Sequence, residues 1–190
     1  IGLGATPKDM HVADVELGRM TSSGGLRMGG SAGGSVVVDG ITAAGSNNVA
    51  PVVTLAAAAD NAQIAFATAA STFNGLAAQA DDGVILEVDI TSDLDVVTLD
   101  GDSDDSSTDT HNKVAISGAR TVTAEAQLTL DSTSGGIVRS GTGTVTLRAK
   151  AGVLLNDNFS GVTTGQALHI NADSDASGDG AFSIAAGKAL

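Results

Sequence analysis

Thr98-Leu99-Asp100-Gly101-Asp102-Ser103-Asp104 and His169-Ile170-Asn171-Ala172-Asp173-Ser174-Asp175 are two versions of one short pattern. Each is a β-rich stretch that runs into an Asp-Ser-Asp loop. Each loop leads on to another β-rich stretch, Val114-Ala115-Ile116 in one case and Phe182-Ser183-Ile184 in the other. A strand-loop-strand motif that recurs within one chain is the trace left by stacked coils.

The same texture extends outward in both directions. Apolar and polar residues alternate over 84–90, 96–99, 121–130, 145–147, 167–170 and 181–184, the period of a half-buried strand. Turn signals separate these runs: Asp39-Gly40, Asp82-Gly83, Gly135-Gly136, Asn156-Asp157-Asn158 and Gly178-Asp179-Gly180. The Ala-rich segment Leu55–Gln79 has a helical composition. Its Thr and Asn residues, and the likeness of Phe66 and its neighbours to the Phe182 strand, favour strands there instead.

A longer repeat overlies the short one. Ser22-Ser23-Gly24-Gly25-Leu26-Arg27 is echoed by Thr133-Ser134-Gly135-Gly136-Ile137-Val138-Arg139, with the glycine pairs 111 positions apart (135 − 24). The reading that follows divides the chain into 1–21 as the end of one repeat, 22–132 as a full repeat of about 111 residues and 133–190 as the start of the next. The chain opens on Ile1 with no basic stretch, so no signal peptide is expected within it, and both ends are expected to join further sequence.

Composition narrows the architecture. The 190 residues include 25 Gly, 2 Pro, 4 Phe and no Trp, Tyr or Cys, and the formal net charge is −13. Ala, Val, Leu and Ile can build a core without rings, because burial needs apolar area. Two all-β architectures satisfy the pattern. In a parallel β-solenoid, small side chains suit a narrow interior, and Gly and Asp suit tight corners. In tandem β-sandwich modules of about 111 residues, the Asp-Gly pairs would be hairpin turns. The nested short motif and the lack of Trp and Tyr favour the solenoid.

Charge excludes some partners. Nine Lys and Arg against 22 Asp and Glu do not make the basic surface that nucleic acid or an anionic membrane needs. No apolar run is long enough to span a bilayer, and without Cys there is no thiolate metal site or Cys nucleophile.

The segment Leu168-His169-Ile170-Asn171-Ala172-Asp173-Ser174-Asp175-Ala176-Ser177-Gly178-Asp179-Gly180-Ala181-Phe182-Ser183-Ile184 resembles a repeat of giant surface proteins. It is similar to the filamentous-haemagglutinin-like adhesins of bacteria and to long repeat proteins of algal surface hairs. The resemblance implies a β-helical shaft, extracellular or at the cell surface, built of many copies. Such a shaft would serve as a structural filament that assembles with copies of itself by strand stacking, end to end or laterally. A binding module, an adhesin stalk with calcium-dependent order that meets glycans, is the alternative.

The acidic loops are the main chemical signal. Asp100, Asp102, Asp104, Asp105 and Asp109 in one, and Asp173, Asp175 and Asp179 in the other, could place hard oxygens around calcium. The closing Glu and flanking helices of an EF-hand are missing, and Asp and Ser also favour plain solvated turns. Asn158-Phe159-Ser160 is an acceptor sequence for N-glycosylation at Asn158. His11, His111 and His169 stand in no metal-binding spacing. Four Phe offer no sugar platform for a polysaccharide-cleaving enzyme, so no catalytic residue and no required cofactor are expected.

Overall fold

The computed structural model describes residues 1–161 and 164–190, which wind into seven coils of a parallel β-solenoid. The first coil holds β1 (Gly2–Gly4), β2 (His11–Val12), α1 (Asp14–Leu17) and β3 (Leu26–Gly30). The second holds β4 (Val36–Asp39), α2 (Ala43–Ser46) and β5 (Val53–Ala57). Each later coil contributes three strands: β6 (Ile64–Phe66), β7 (Ser71–Phe73) and β8 (Leu76–Ala80); β9 (Val84–Leu86), β10 (Ile90–Ser92) and β11 (Val97–Asp100); β12 (Val114–Ser117), β13 (Arg120–Ala124) and β14 (Leu128–Asp131); β15 (Ile137–Ser140), β16 (Val145–Ala149) and β17 (Val153–Leu155); β18 (Phe159–Gly161), β19 (Leu168–Asn171) and β20 (Phe182–Ile184).

The strands stack into three sheets. Sheet 1 runs β18-β15-β12-β9-β6-β4-β1-β2, sheet 2 runs β19-β16-β13-β10-β7, and sheet 3 runs β20-β17-β14-β11-β8-β5-β3. Every ladder is parallel. The sandwich alternative requires antiparallel sheets and is excluded. The Ala-rich segment forms β5 to β8, as its Thr and Asn residues suggested. Among the described residues no helix is long and apolar enough to cross a membrane.

Register makes the core. Inward positions sit on inward positions of the next coil, so Leu55, Ala78, Leu99, Leu130 and Leu155 form one column in sheet 3. Ile64, Val84, Val114, Ile137 and Phe159 form another in sheet 1. These columns merge into one buried cluster along the axis. Corners allow the tight path. Gly83 takes φ +119°, a conformation open to Gly at little cost, and a Cβ on Gly101 would lie 2.4 Å from the Lys113 carbonyl.

Coil length varies. Ile64 to Val84 spans 20 residues, Val84 to Val114 spans 30, Val114 to Ile137 spans 23 and Ile137 to Phe159 spans 22. The surplus goes into corner loops, not into the strands. The stretches matched at about 111 residues share their texture but not their face: Leu26–Gly30 lies in sheet 3 and Ile137–Ser140 in sheet 1.

The first two coils depart from the pattern. Where later coils place a sheet 2 strand, they place α1 and α2, which pack on each other, and α2 packs on β7. Thr42 caps α2 by accepting the Gly45 N–H at 3.0 Å. Stacked helices need roughly 8–10 Å, about two rungs at ~4.8 Å each. Sheet 1 matches that thickness by taking β1 as an extra rung between β2 and β4, while β3 pairs directly with β5 in sheet 3. Leu3 of the inserted strand is fully buried.

The stacking columns set unequal sensitivities. Leu99→Ala removes a fully buried side chain from mid-column and is expected to lower unfolding free energy by about 2–5 kcal/mol. Leu94→Ala, at a residue 66% exposed, is expected to change it by less than about 0.5 kcal/mol. Urea midpoints of the two variants check this.

Candidate functional site

The acidity of the chain has a structural use that explains much of it. Asp14 accepts the Thr42 N–H at 2.9 Å, Asp39 that of Ala69 at 3.1 Å and Asp89 that of Thr121 at 2.9 Å. Asp82 accepts the His111 N–H at 2.6 Å, and Asp102 that of Ser134 at 2.7 Å. In each case the donor lies 28 to 32 residues on, one coil further along the axis. These are charge-assisted bonds that tie a corner of one coil to the corner above it.

The two acidic loops occupy different edges of the solenoid. Residues 101–113 join β11 of sheet 3 to β12 of sheet 1, whereas residues 172–181 join β19 of sheet 2 to β20 of sheet 3. The second loop folds on itself. Asp173 accepts the N–H of Ser177 at 3.0 Å and of Gly178 at 3.0 Å, Asp175 also accepts from Ser177, and the Asp179 N–H donates to the Ser177 hydroxyl. Among the described residues, Asp173, Asp175 and Asp179 form no three-carboxylate cluster.

In the first loop the five carboxylates point to different tasks. Asp102 is buried, with one oxygen on the Ser134 N–H and the other, Oδ1, without a partner. Asp104 accepts the Ser106 N–H at 2.9 Å, and Asp105 accepts the Thr133 hydroxyl at 2.6 Å. Asp100 lies in register with Asp131, whose Oδ2 takes the Asn156 amide at 2.9 Å. Burial, with the carboxylates of Asp131, Asp105 and Asp102 beside it, pushes Asp100 up to about 6, against the Asp102 N–H that it accepts.

Asp109 alone of the five joins a compact cluster. Carboxylate oxygens of Asp60, Asp81 and Asp109 lie within 4.8 Å of one another. The three come from successive corners between sheet 3 and sheet 1, stacked along the axis. Burial raises the Asp81 carboxyl above its ordinary range, opposed by the Asn61 N–H and reinforced by Asp104, Asp60 and Asp82. Asp109 is raised as well. Three such oxygens supply part of the six to eight that calcium takes. Asp60 and Asp81 were missing from the sequence reading because they stand 49 and 28 positions before Asp109 (109 − 60 and 109 − 81). The turn pairs Asp60-Asn61 and Asp82-Gly83, one coil apart, were the available signal.

Beside this cluster, the His111 ring Nδ1 lies 2.9 Å from Asp82. Burial works to raise Asp82, but the His111 ring and the His111 and Asn112 N–H groups outweigh it and hold the carboxyl low. His11 meets the Lys8 carbonyl at 3.0 Å, and His169 is exposed on β19. The three histidines converge on no common point among the described residues. Asn158 is exposed, its side-chain oxygen taking the Ala189 N–H at 2.9 Å. Comparison with protein-family models, curated proteins and solved structures gave no match.

Asp100 sets a pH dependence whose sign is fixed. Its folded-state pKa, about 6, exceeds the unfolded ~3.9, so the folded state holds the proton more tightly. The resulting stability is present below about pH 4 and is lost as pH rises through about 6. Asp100→Asn is therefore expected to be more stable than wild type at pH 7, by about 1–3 kcal/mol, with the gain vanishing toward pH 4. Urea midpoints of both proteins across that range measure it.

Proposed function

We propose that this chain is a structural segment of a long extracellular filament or surface appendage that extends by stacking strand on strand. One observation carries the reading. From β4 onward, the first N–H of each sheet 1 strand donates to the carbonyl just before the strand above, as in Val84 to Lys113, Val114 to Gly136, and Ile137 to Asn158. Phe159 donates to Ala189 at 2.9 Å in the same way. The backbone at 189–190 thus occupies the opening of an eighth rung, and the ladder geometry carries on past β20.

The two ends differ in what they offer. The C-terminal face presents β18, β19 and β20, one strand for each sheet. The other face presents the two-residue β2, the helix α1 and β3. Residues 189–190 already lie on the start of β18, and a coil that continues that rung can go on to pair with β19 and β20, so extension there fits better than extension at the helical face. Phe182 is 40% exposed on that open edge, and an unpaired edge with an apolar side chain is a template for further pairing.

The expected behaviour is concentration-dependent association, read by sedimentation velocity. Phe182→Lys with Ile184→Lys places charges on the edge and is expected to leave circular dichroism unchanged while holding the chain monomeric. Association that persists in this double variant contradicts the stacking mode.

A second reading, a stalk whose order depends on calcium, rests on the Asp60, Asp81 and Asp109 cluster. Under it, millimolar calcium raises the unfolding temperature of wild type and raises that of Asp81→Asn much less, because a bound ligand stabilises by mass action. An equal response in the two proteins removes this reading.

A further inference from the structure

We propose that the neck of the loop 101–113 is a calcium site, with Asp102 Oδ1 and Asn112 Oδ1 as its side-chain ligands. Register defines the neck. Gln79 is in register with Asp100 and Val84 with Val114. The corner that closes the third coil therefore has four residues, 80–83, and the same corner of the fourth coil has thirteen, 101–113. The corner that closes the fifth coil has five, 132–136. The fourth coil thus carries nine extra residues (13 − 4) at this edge.

The extra residues leave and rejoin the coil over one narrow stretch. Ser103 donates its N–H to the Ala80 carbonyl at 2.9 Å, and the returning His111 N–H meets Asp82 at 2.6 Å. Ala80 and Asp82 are two positions apart in the coil below, so Asp102 and Asn112 form the two stems at the base of the loop. The next coil closes that base from the other side. Asp102 Oδ2 accepts the Ser134 N–H at 2.7 Å, and the Asn112 carbonyl accepts the Ser132 hydroxyl at 2.6 Å.

Each stem keeps one oxygen unused. Asp102 is 1% exposed and Asn112 3%, and Oδ1 of each has no hydrogen-bond donor among the described residues. The Asn112 amide is oriented, since its NH2 donates to the Ser106 carbonyl, so Oδ1 is the end left free. A buried acceptor without a donor is costly, and a buried charge more so. Two such oxygens at one neck, one of them anionic, are met together by a cation. Carboxylate and amide oxygens, with water in the remaining positions, are calcium ligands. Asp100 and Asp105 add negative charge nearby, since Asp105 and Asp102 both act on the Asp100 carboxyl. The neck is separate from the Asp60, Asp81 and Asp109 cluster, and neither reading requires the other. An ion there pins the two stems of the longest corner to each other.

Calcium titration followed by amide NMR tests this, because each place has its own reporter. The Ser134 N–H and the Asn112 side-chain NH2 report the neck. The Asn61 N–H, which donates to Asp81 at 2.8 Å, reports the other cluster. Saturable shifts at Ser134 and Asn112, with a Kd of about 0.1–1 mM, are expected whether or not Asn61 responds. Asp102→Asn should abolish them and leave any Asn61 response in place. Asn112→Asp adds a second carboxylate, so it should tighten calcium binding at Ser134 roughly tenfold and make the unfolding temperature more calcium-dependent than in wild type. That result does not need Asp102→Asn to fold. An ordered water at the neck gives the opposite pattern: no saturable shift at Ser134 or Asn112 in wild type, and Asn112→Asp destabilised equally with and without calcium. Either of those results, or shifts that persist in Asp102→Asn, overturns the proposal.

Discussion

In-register parallel pairing is the constraint on which the rest of this structure depends. A parallel ladder sets like positions above like, so an inward residue in one coil fixes an inward residue in the next. Apolar columns such as Leu55 to Leu155 follow from that alone. Backbone hydrogen bonds are then satisfied by neighbouring coils, leaving only the two ends open. Small aliphatic side chains suffice because no interior layer is wider than a coil, which explains a continuous buried core without Trp or Tyr.

The same stacking gives the charges their meaning. A corner carboxylate that accepts an N–H one coil away acts between rungs, as Asp39, Asp82, Asp89 and Asp102 do. Where corner carboxylates accumulate faster than donors, as at Asp60, Asp81 and Asp109, burial first and neighbouring carboxylates second hold Asp81 and Asp109 above the ordinary carboxylate range. Arg139 is the inverse case, a cation placed in the column with carbonyl partners only. Both follow from lengthening or altering a coil without changing the ladder.

The fold was legible in the sequence where local pattern and coil geometry coincide. Thr98–Asp104 and its counterpart showed strand, acidic loop and strand, and both are that in the structure. The Ala-rich stretch was legible through its Thr and Asn residues. The helical turns α1 and α2 were not, since four residues leave no periodicity and only the Thr42 cap marks one of them. The acidity of the loops was legible, but not which carboxylates come together. Two local Asp runs drew the eye to single loops, whereas the compact cluster draws one residue from each of three coils. Arg139 stood in the sequence only as part of the glycine-led match to Ser22–Arg27; its inward place comes from register with Ile116.

Oriented X-ray fibre diffraction of the assembled chain tests the central claim most directly. Stacked parallel coils require a reflection near ~4.8 Å along the long axis of the assembly, because each rung lies across that axis. A meridional reflection at that spacing is the expected result. A fibre in which this spacing lies on the equator, or discrete particles that give no such reflection, would contradict a filament that grows by adding rungs.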